Sequence, residues 1–233
     1  MKKLFWASVT VLVGFGSVVL AIMGLNYQKS EKPDFTVAKL NGTAKTAKGV
    51  LPHADLEIAV YPNSMSGAHG EDGGKHPDWV SYGPTSNFQV PANTHVTITV
   101  KQYDGGEKLR SPYFRSVIGT VDGNATWNGK PYTELALDEI GHTFTIHSLP
   151  TNQDDFFLNV PLPAVPDDQM SEKEGEYINA QVVTFTFITP DSGEYIWNCE
   201  FPCGDGSMAR FGAAMSTQGY MSGHIVIDES AKA

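Results

Sequence analysis

The hydrophobic pattern changes character once along the chain. Residues 4–25 (LFWASVTVLVGFGSVVLAIMGL) form an unbroken uncharged run, whereas beyond residue 55 apolar residues recur at every second position in short stretches. A period of two marks strands with one buried face. Residues 94–102 (THVTITVKQ) set Val96, Ile98 and Val100 on one face and His95, Thr97, Thr99 and Lys101 on the other. Residues 181–189 (QVVTFTFIT) align Val183, Phe185 and Phe187. Residues 141–149 (GHTFTIHSL) put His142, Phe144 and Ile146 opposite Thr143, Thr145 and His147. Shorter stretches at 55–61, 88–90, 113–121, 156–160, 194–199 and 224–228 read as further strands. Turn chemistry separates them at Pro91-Ala92-Asn93, Asp104-Gly105-Gly106, Asp122-Gly123-Asn124 and Pro190-Asp191-Ser192-Gly193. Residues 165–176 are acidic and turn-rich, with room for one helical turn. No stretch after the first run holds a helical period, and no repeat is visible. Many short strands with such punctuation predict an all-β sandwich.

The first run has a different destiny. As a helix its 22 residues would reach about 33 Å, enough for a hydrocarbon core of about 30 Å. Lys2 and Lys3 abut it, whereas no cation lies within the three residues after it, which favours an uncleaved anchor with the rest of the chain outside the cytoplasm. A cleaved signal segment is the alternative, although Ala21-Ile22-Met23 fits an A-x-A-like site poorly. Both readings place the β domain on the extracytoplasmic side. The expected organisation is an anchor or signal segment at 4–25, a polar linker at 26–54 and a β domain at 55–233. The Gly-rich stretch 63–78 within it reads as loop, and its His69 and His76 read as solvated residues rather than ligands.

Composition narrows the function. With 41% hydrophobic residues and 11% aromatics, the chain can bury a real core. Its 16 basic against 26 acidic side chains leave no basic stripe, so a nucleic-acid partner is excluded. An acidic surface suits solubility and can also steer a basic redox protein such as a cytochrome. No phosphate loop, His-Glu-x-x-His or nucleophile elbow is present.

The chemistry concentrates near the C-terminus. Cys199 and Cys203, the only two cysteines, lie four residues apart at the end of a strand. Met208, Met215 and Met221 follow on the next loop. Thiolate and thioether sulfurs are soft donors that select copper, Cu(I) above all. Trp197 and Phe201 beside the thiols are placed to exclude water. Met208 and Met215 read first as packing residues, and His53, His95 and His147 as surface residues.

Residues 190–199 (PDSGEYIWNC) resemble the cupredoxin pattern of a Pro/Gly turn, a Tyr-x-Trp strand and a terminal Cys. Met221-x-Gly223-x-Ile225-Val226-Ile227 is similar to the strand after the axial Met in plastocyanin-like proteins, and His142-Thr143-Phe144 to the ligand His that opens a strand. The Cys-x-x-x-Cys spacing resembles the binuclear copper domain of cytochrome c oxidase subunit II. The resemblance spans roughly residues 88–228, with an insertion at about 105–141. It implies a cupredoxin-like Greek-key β-sandwich behind an N-terminal transmembrane helix. It also implies copper as cofactor and transfer of one electron to a redox partner such as a cytochrome or oxidase complex. The implied ligands are His142, Cys199, Cys203 and Met221, with Met215 or His224 as substitutes. The chain departs from the family where a second His belongs: Ser207 and Arg210 fill the binuclear pattern's His and Met positions, and Ser216 fills the blue-copper His position. Two other readings therefore stand: a Cu(I) carrier with the same ligands, and a metal-free interaction module with a Cys199–Cys203 disulfide.

Overall fold

A computed structural model of the chain describes residues 2–30, 35–65, 79–106, 108–152, 154–169, 180–203 and 213–229. Two compact units result, Met1–Asp34 and Phe35–Ala233.

The first unit is helix α1 (Lys2–Ser30). It contains the whole uncharged run. Val11, Leu12, Phe15 and Leu20 are each about 70% exposed and point to different sides of it. Among the described residues, whose side chains in α1 are Trp6 and those at 10–23, no helix is long and apolar enough to cross a membrane.

In the second unit the described residues form strands β1 (Phe35–Val37), β2 (Lys39–Thr46), β3 (Gly49–Tyr61), β4 (Ser81–Gly83), β5 (Asn87–Pro91), β6 (His95–Gln102), β7 (Ala125–Trp127), β8 (Lys130–Tyr132), β9 (Ile140–His147), β10 (Phe157–Pro163), β11 (Gln181–Ile188), β12 (Gly193–Asn198) and β13 (Ser222–Asp228). They make two sheets. The first runs β1-β5-β13-β12-β9-β10, and the second β2-β3-β6-β11-β7-β8 with β4 against β3. Both mix directions: β5 lies parallel to β1 and β13, and β3 parallel to β6.

Alternation builds the sandwich as expected. Val96, Ile98 and Val100 of β6 pair with Phe187, Phe185 and Val183 of β11, all within 2% of full burial. On the opposite face Thr97 pairs with Thr186, hydroxyl to hydroxyl at 2.9 Å. The sheets meet on aromatic rings. Trp197 stacks on Phe144 at 5.2 Å and meets Tyr82 edge-on at 4.5 Å, and Phe144 reaches Phe185 of the other sheet at 5.6 Å. Each such contact is worth about 0.5–1.5 kcal/mol beyond the area it buries.

Three expectations are corrected. The linker at 26–54 is instead the end of α1 followed by β1, β2 and the start of β3. β2 is an exposed edge strand, so it needs no apolar alternation, and its lysines guard that edge. The strand expected at 113–121 gives way to a 3-10 turn over Pro112–Arg115, because proline fixes φ and opens a turn. The insertion, read as a strand at 113–121 followed by a turn, also contains the hairpin β7–β8 beyond that turn. Asn128 and Gly129 turn it, with φ of 49° and 80°, the left-handed pair that a tight hairpin demands. The loop 66–78, with His69 and His76, lies outside the described residues, as do Met208, Ser207 and Arg210.

Candidate metal centre

Three segments converge at one end of the first sheet. β9 delivers His142, the end of β12 delivers Cys199, and the turn after it delivers Cys203. The two sulfurs lie 3.3 Å apart, with no bond between them. His142 Nδ1 is 3.1 Å from Cys203 Sγ and 3.7 Å from Cys199 Sγ. All three side chains are buried, and their potential ligand atoms lie within 4.8 Å of one another.

Local backbone chemistry holds each group. The Cys199 N–H donates to the Met221 carbonyl at 2.9 Å, extending the β12–β13 ladder by one pair beyond Asn198 and Ser222. Partners in such a ladder share a face with Cβ atoms about 4.5–5.5 Å apart. Met221, fully buried, therefore projects on the same inner side as Cys199. The Cys199 sulfur accepts N–H groups from Thr143 at 3.3 Å and Phe201 at 3.4 Å. Glu200 N–H donates to Thr143 Oγ1 at 2.7 Å and pins the turn to β9. Phe201, 7% exposed, sets its ring edge-on to His142 at 6.1 Å, and neither cysteine is more than 4% exposed.

The sequence did not reveal Asp104. Its Oδ2 lies 2.8 Å from His142 Nε2. That contact fixes the ring and turns Nδ1 toward the sulfurs, the role carboxylates play behind metal-bound histidines. Glycine makes it possible. A Cβ on Gly106 would sit 2.5 Å from the Gly141 Cα, and one on Gly141 would sit 2.5 Å from the Gly105 carbonyl oxygen. Only glycines let the chain after β6 press against the start of β9. Gly106 was readable as turn punctuation and Gly141 as the start of a strand, but their contact across 35 residues was not.

Electrostatics divides the charges. Burial alone would lower the His142 pKa, but the Asp104 hydrogen bond and the hydrogen bond and charge of Cys199 outweigh it, raising it to about 9. Burial would raise Cys199, yet hydrogen bonds from Cys203 and His142 and the imidazolium charge hold it well below a free thiol. Cys203 is pushed up by burial and by the adjacent Cys199. A negative charge on Cys199 and a positive charge on His142 therefore favour one another, and Cys203 holds its proton more tightly than Cys199.

Of the substitute ligands, Met215 lies against the core cluster that includes the two cysteines, whereas His224 sits elsewhere. Met215 is half-buried in the 3-10 turn Ala214–Ser216 and packs against the core. His224 pairs with the outward Ile196, and its Nδ1 lies 2.5 Å from a Glu194 carboxylate oxygen. It faces away from the sulfurs. His147 also faces outward, its Nε2 3.1 Å from Asn198 Oδ1.

No protein-family model and no curated protein matches the chain. Among solved structures it is similar to auracyanin B, at 13% identity over 82% of this chain and 99% of that one, with a TM-score of 0.33. It is also similar to reduced rusticyanin, at 13% identity over 76% of this chain and 84% of that one, with a TM-score of 0.34.

Proposed function

We propose that the chain is a cupredoxin-like copper protein that carries single electrons outside the cytoplasm. The convergence of His142 Nδ1 with both cysteine sulfurs in a dry, buried pocket carries this reading. The donor set fits copper: two sulfurs and one imidazole are soft to borderline, and among the described residues no carboxylate joins them within the 4.8 Å that groups the three ligand atoms. His142, Cys199 and Cys203 would hold the ion, and Met221, the cross-strand neighbour of Cys199, would add a thioether. Copper, when bound there, supplies a one-electron couple. Asp104 keeps His142 oriented, Phe201 and Trp197 exclude water, and the β9–β12–β13 ladder holds the ligands in place.

The full chain loaded with Cu(I) and then treated with ferricyanide should gain thiolate-to-copper absorption, lose it on reduction, and regain it on reoxidation. A loaded protein that stays colourless after oxidation would overturn electron transfer. A second reading, a Cu(I) carrier for an oxidase, predicts that outcome. It draws support from the described donors, which include one imidazole rather than two.

The uncharged run of α1, apolar on every side, supports anchoring in a membrane with the sandwich on the extracytoplasmic side. The full chain should stay with the membrane pellet through an alkaline carbonate wash. Changing Val11 and Leu12 to Arg should release it, and a chain that washes off unaltered would refute the anchor.

A further inference from the structure

His53 and His95, which sequence reasoning left as surface residues, meet on the outer face of the second sheet. They are partners in the parallel register of β3 and β6, and their Nδ1 atoms lie 2.9 Å apart. Their ring centroids are 5.1 Å apart, so the rings meet nitrogen to nitrogen. Neutral imidazoles can share such a contact only if one Nδ1 bears a proton and the other does not.

The surroundings assign it. Asp55, two residues along β3 on the same face, lies 3.0 Å from His53 Nε2. It takes the Nε2–H and leaves His53 Nδ1 as a lone pair. Asp55 is held in turn by Asn41 Nδ2 at 2.7 Å. Asn41 sits in the bulge of β2 where the register shifts between Leu40 and Thr43, with Gly42 at φ 78°. The shared proton therefore sits on His95 Nδ1.

The geometry points to a second metal site: His53 and His95 together bind a divalent transition-metal ion through their two Nδ1 atoms. Nitrogens 2.9 Å apart, each about 2.0–2.1 Å from an ion, subtend about 90° at it. That is the cis angle of tetragonal Cu2+ and Ni2+ sites and is narrower than tetrahedral Zn2+ prefers. The ion replaces the shared proton. His95 loses the proton on Nδ1 and gains one on Nε2 from water, so the ring stays neutral. Water fills the remaining coordination positions on the solvent side. Asp55 is a positioning residue that orients His53. The site is independent of the copper reading of the thiolate centre.

Ni2+ titrated into the full chain by calorimetry tests it, each variant being compared with the parent so that the thiolate centre contributes equally. His53→Gln and His95→Gln should each weaken one binding event at least tenfold, and Asp55→Asn should weaken it about 10–100-fold. His147→Gln should leave it unchanged. In the parent with its thiolate centre already filled with Cu(I), a further substoichiometric addition of Cu2+ should broaden the ring-proton resonances of His53 and His95 together, a readout that needs no variant to fold. Ni2+ affinity unchanged in both Gln variants, or broadening that spares these two rings, would overturn the site.

Discussion

The two histidine sites of this sandwich use the same orienting device for different donors. At His142, Asp104 fixes Nε2 at 2.8 Å, and at His53, Asp55 fixes it at 3.0 Å. In both, Nδ1 is left to face a partner. Behind the sulfurs the histidine is 4% exposed and its carboxylate 22%, whereas on the open sheet the figures are 19% and 41%. The carboxylate sets which nitrogen is offered, and the neighbours of that nitrogen decide the metal. Buried thiolates select a soft ion and hold it away from water. A half-buried imidazole selects a borderline ion that exchanges with solvent.

The largest expected effect separates the sites outright. Cys199→Ser should abolish Cu(I) binding in competition with a chromophoric chelator, while Ni2+ affinity at His53 and His95 stays at the parent value. Loss of both would mean the sites are not independent. Next comes Gly223→Ala. Gly223 faces Trp197 across β12–β13, and a Cβ there would sit 1.9 Å from the Ser86 carbonyl oxygen. The clash should cost about 1–3 kcal/mol in urea unfolding and disturb the strand beyond Met221. An unchanged midpoint would show that loop to be softer than its packing implies. Asp104→Asn should weaken Cu(I) affinity about 10–100-fold without removing it, parallel to Asp55→Asn at the second site. If Asp104→Asn has no effect, the likeness of the two carboxylates is only geometric. Smallest is Asn41→Ala, which frees Asp55 without touching a histidine and should lower Ni2+ affinity by less than the Asp55→Asn change.

Alternation made the inner strands legible. β6, β11, β12 and β13 each bury every second residue, and their apolar residues announced it. The edge was not legible, because β2 needs no buried face and its lysines and threonines look like linker. The Asn128-Gly129 turn carries a readable signal, but its two flanking strands are three residues each, too short to show alternation. At the thiolate centre, His142, Cys199 and Cys203 were legible because a short motif and a strand start mark them. Asp104 was not, since its placement depends on two backbones touching at Gly106 and Gly141. The His53–His95 pair has no local signal at all. It exists only through the parallel register of strands 42 residues apart.

The insertion between β6 and β9 has a consequence for how copies of this protein meet one another. Ile118 exchanges backbone hydrogen bonds with Asn159 of β10 at 2.8 and 3.0 Å, and the Asn159 side chain ties down Phe114 and Ser116. A few residues on, Val121 bonds Thr186, and β7 pairs with β11. One segment thus occupies the free margins of both sheets on that flank. A β-sandwich with open margins invites strands from other molecules to add on and grow into fibrils. Here the insertion covers the margins of β10 and β11, and the edge it leaves is β8, three residues that include Lys130 and Pro131, so that flank offers crowded copies little to template.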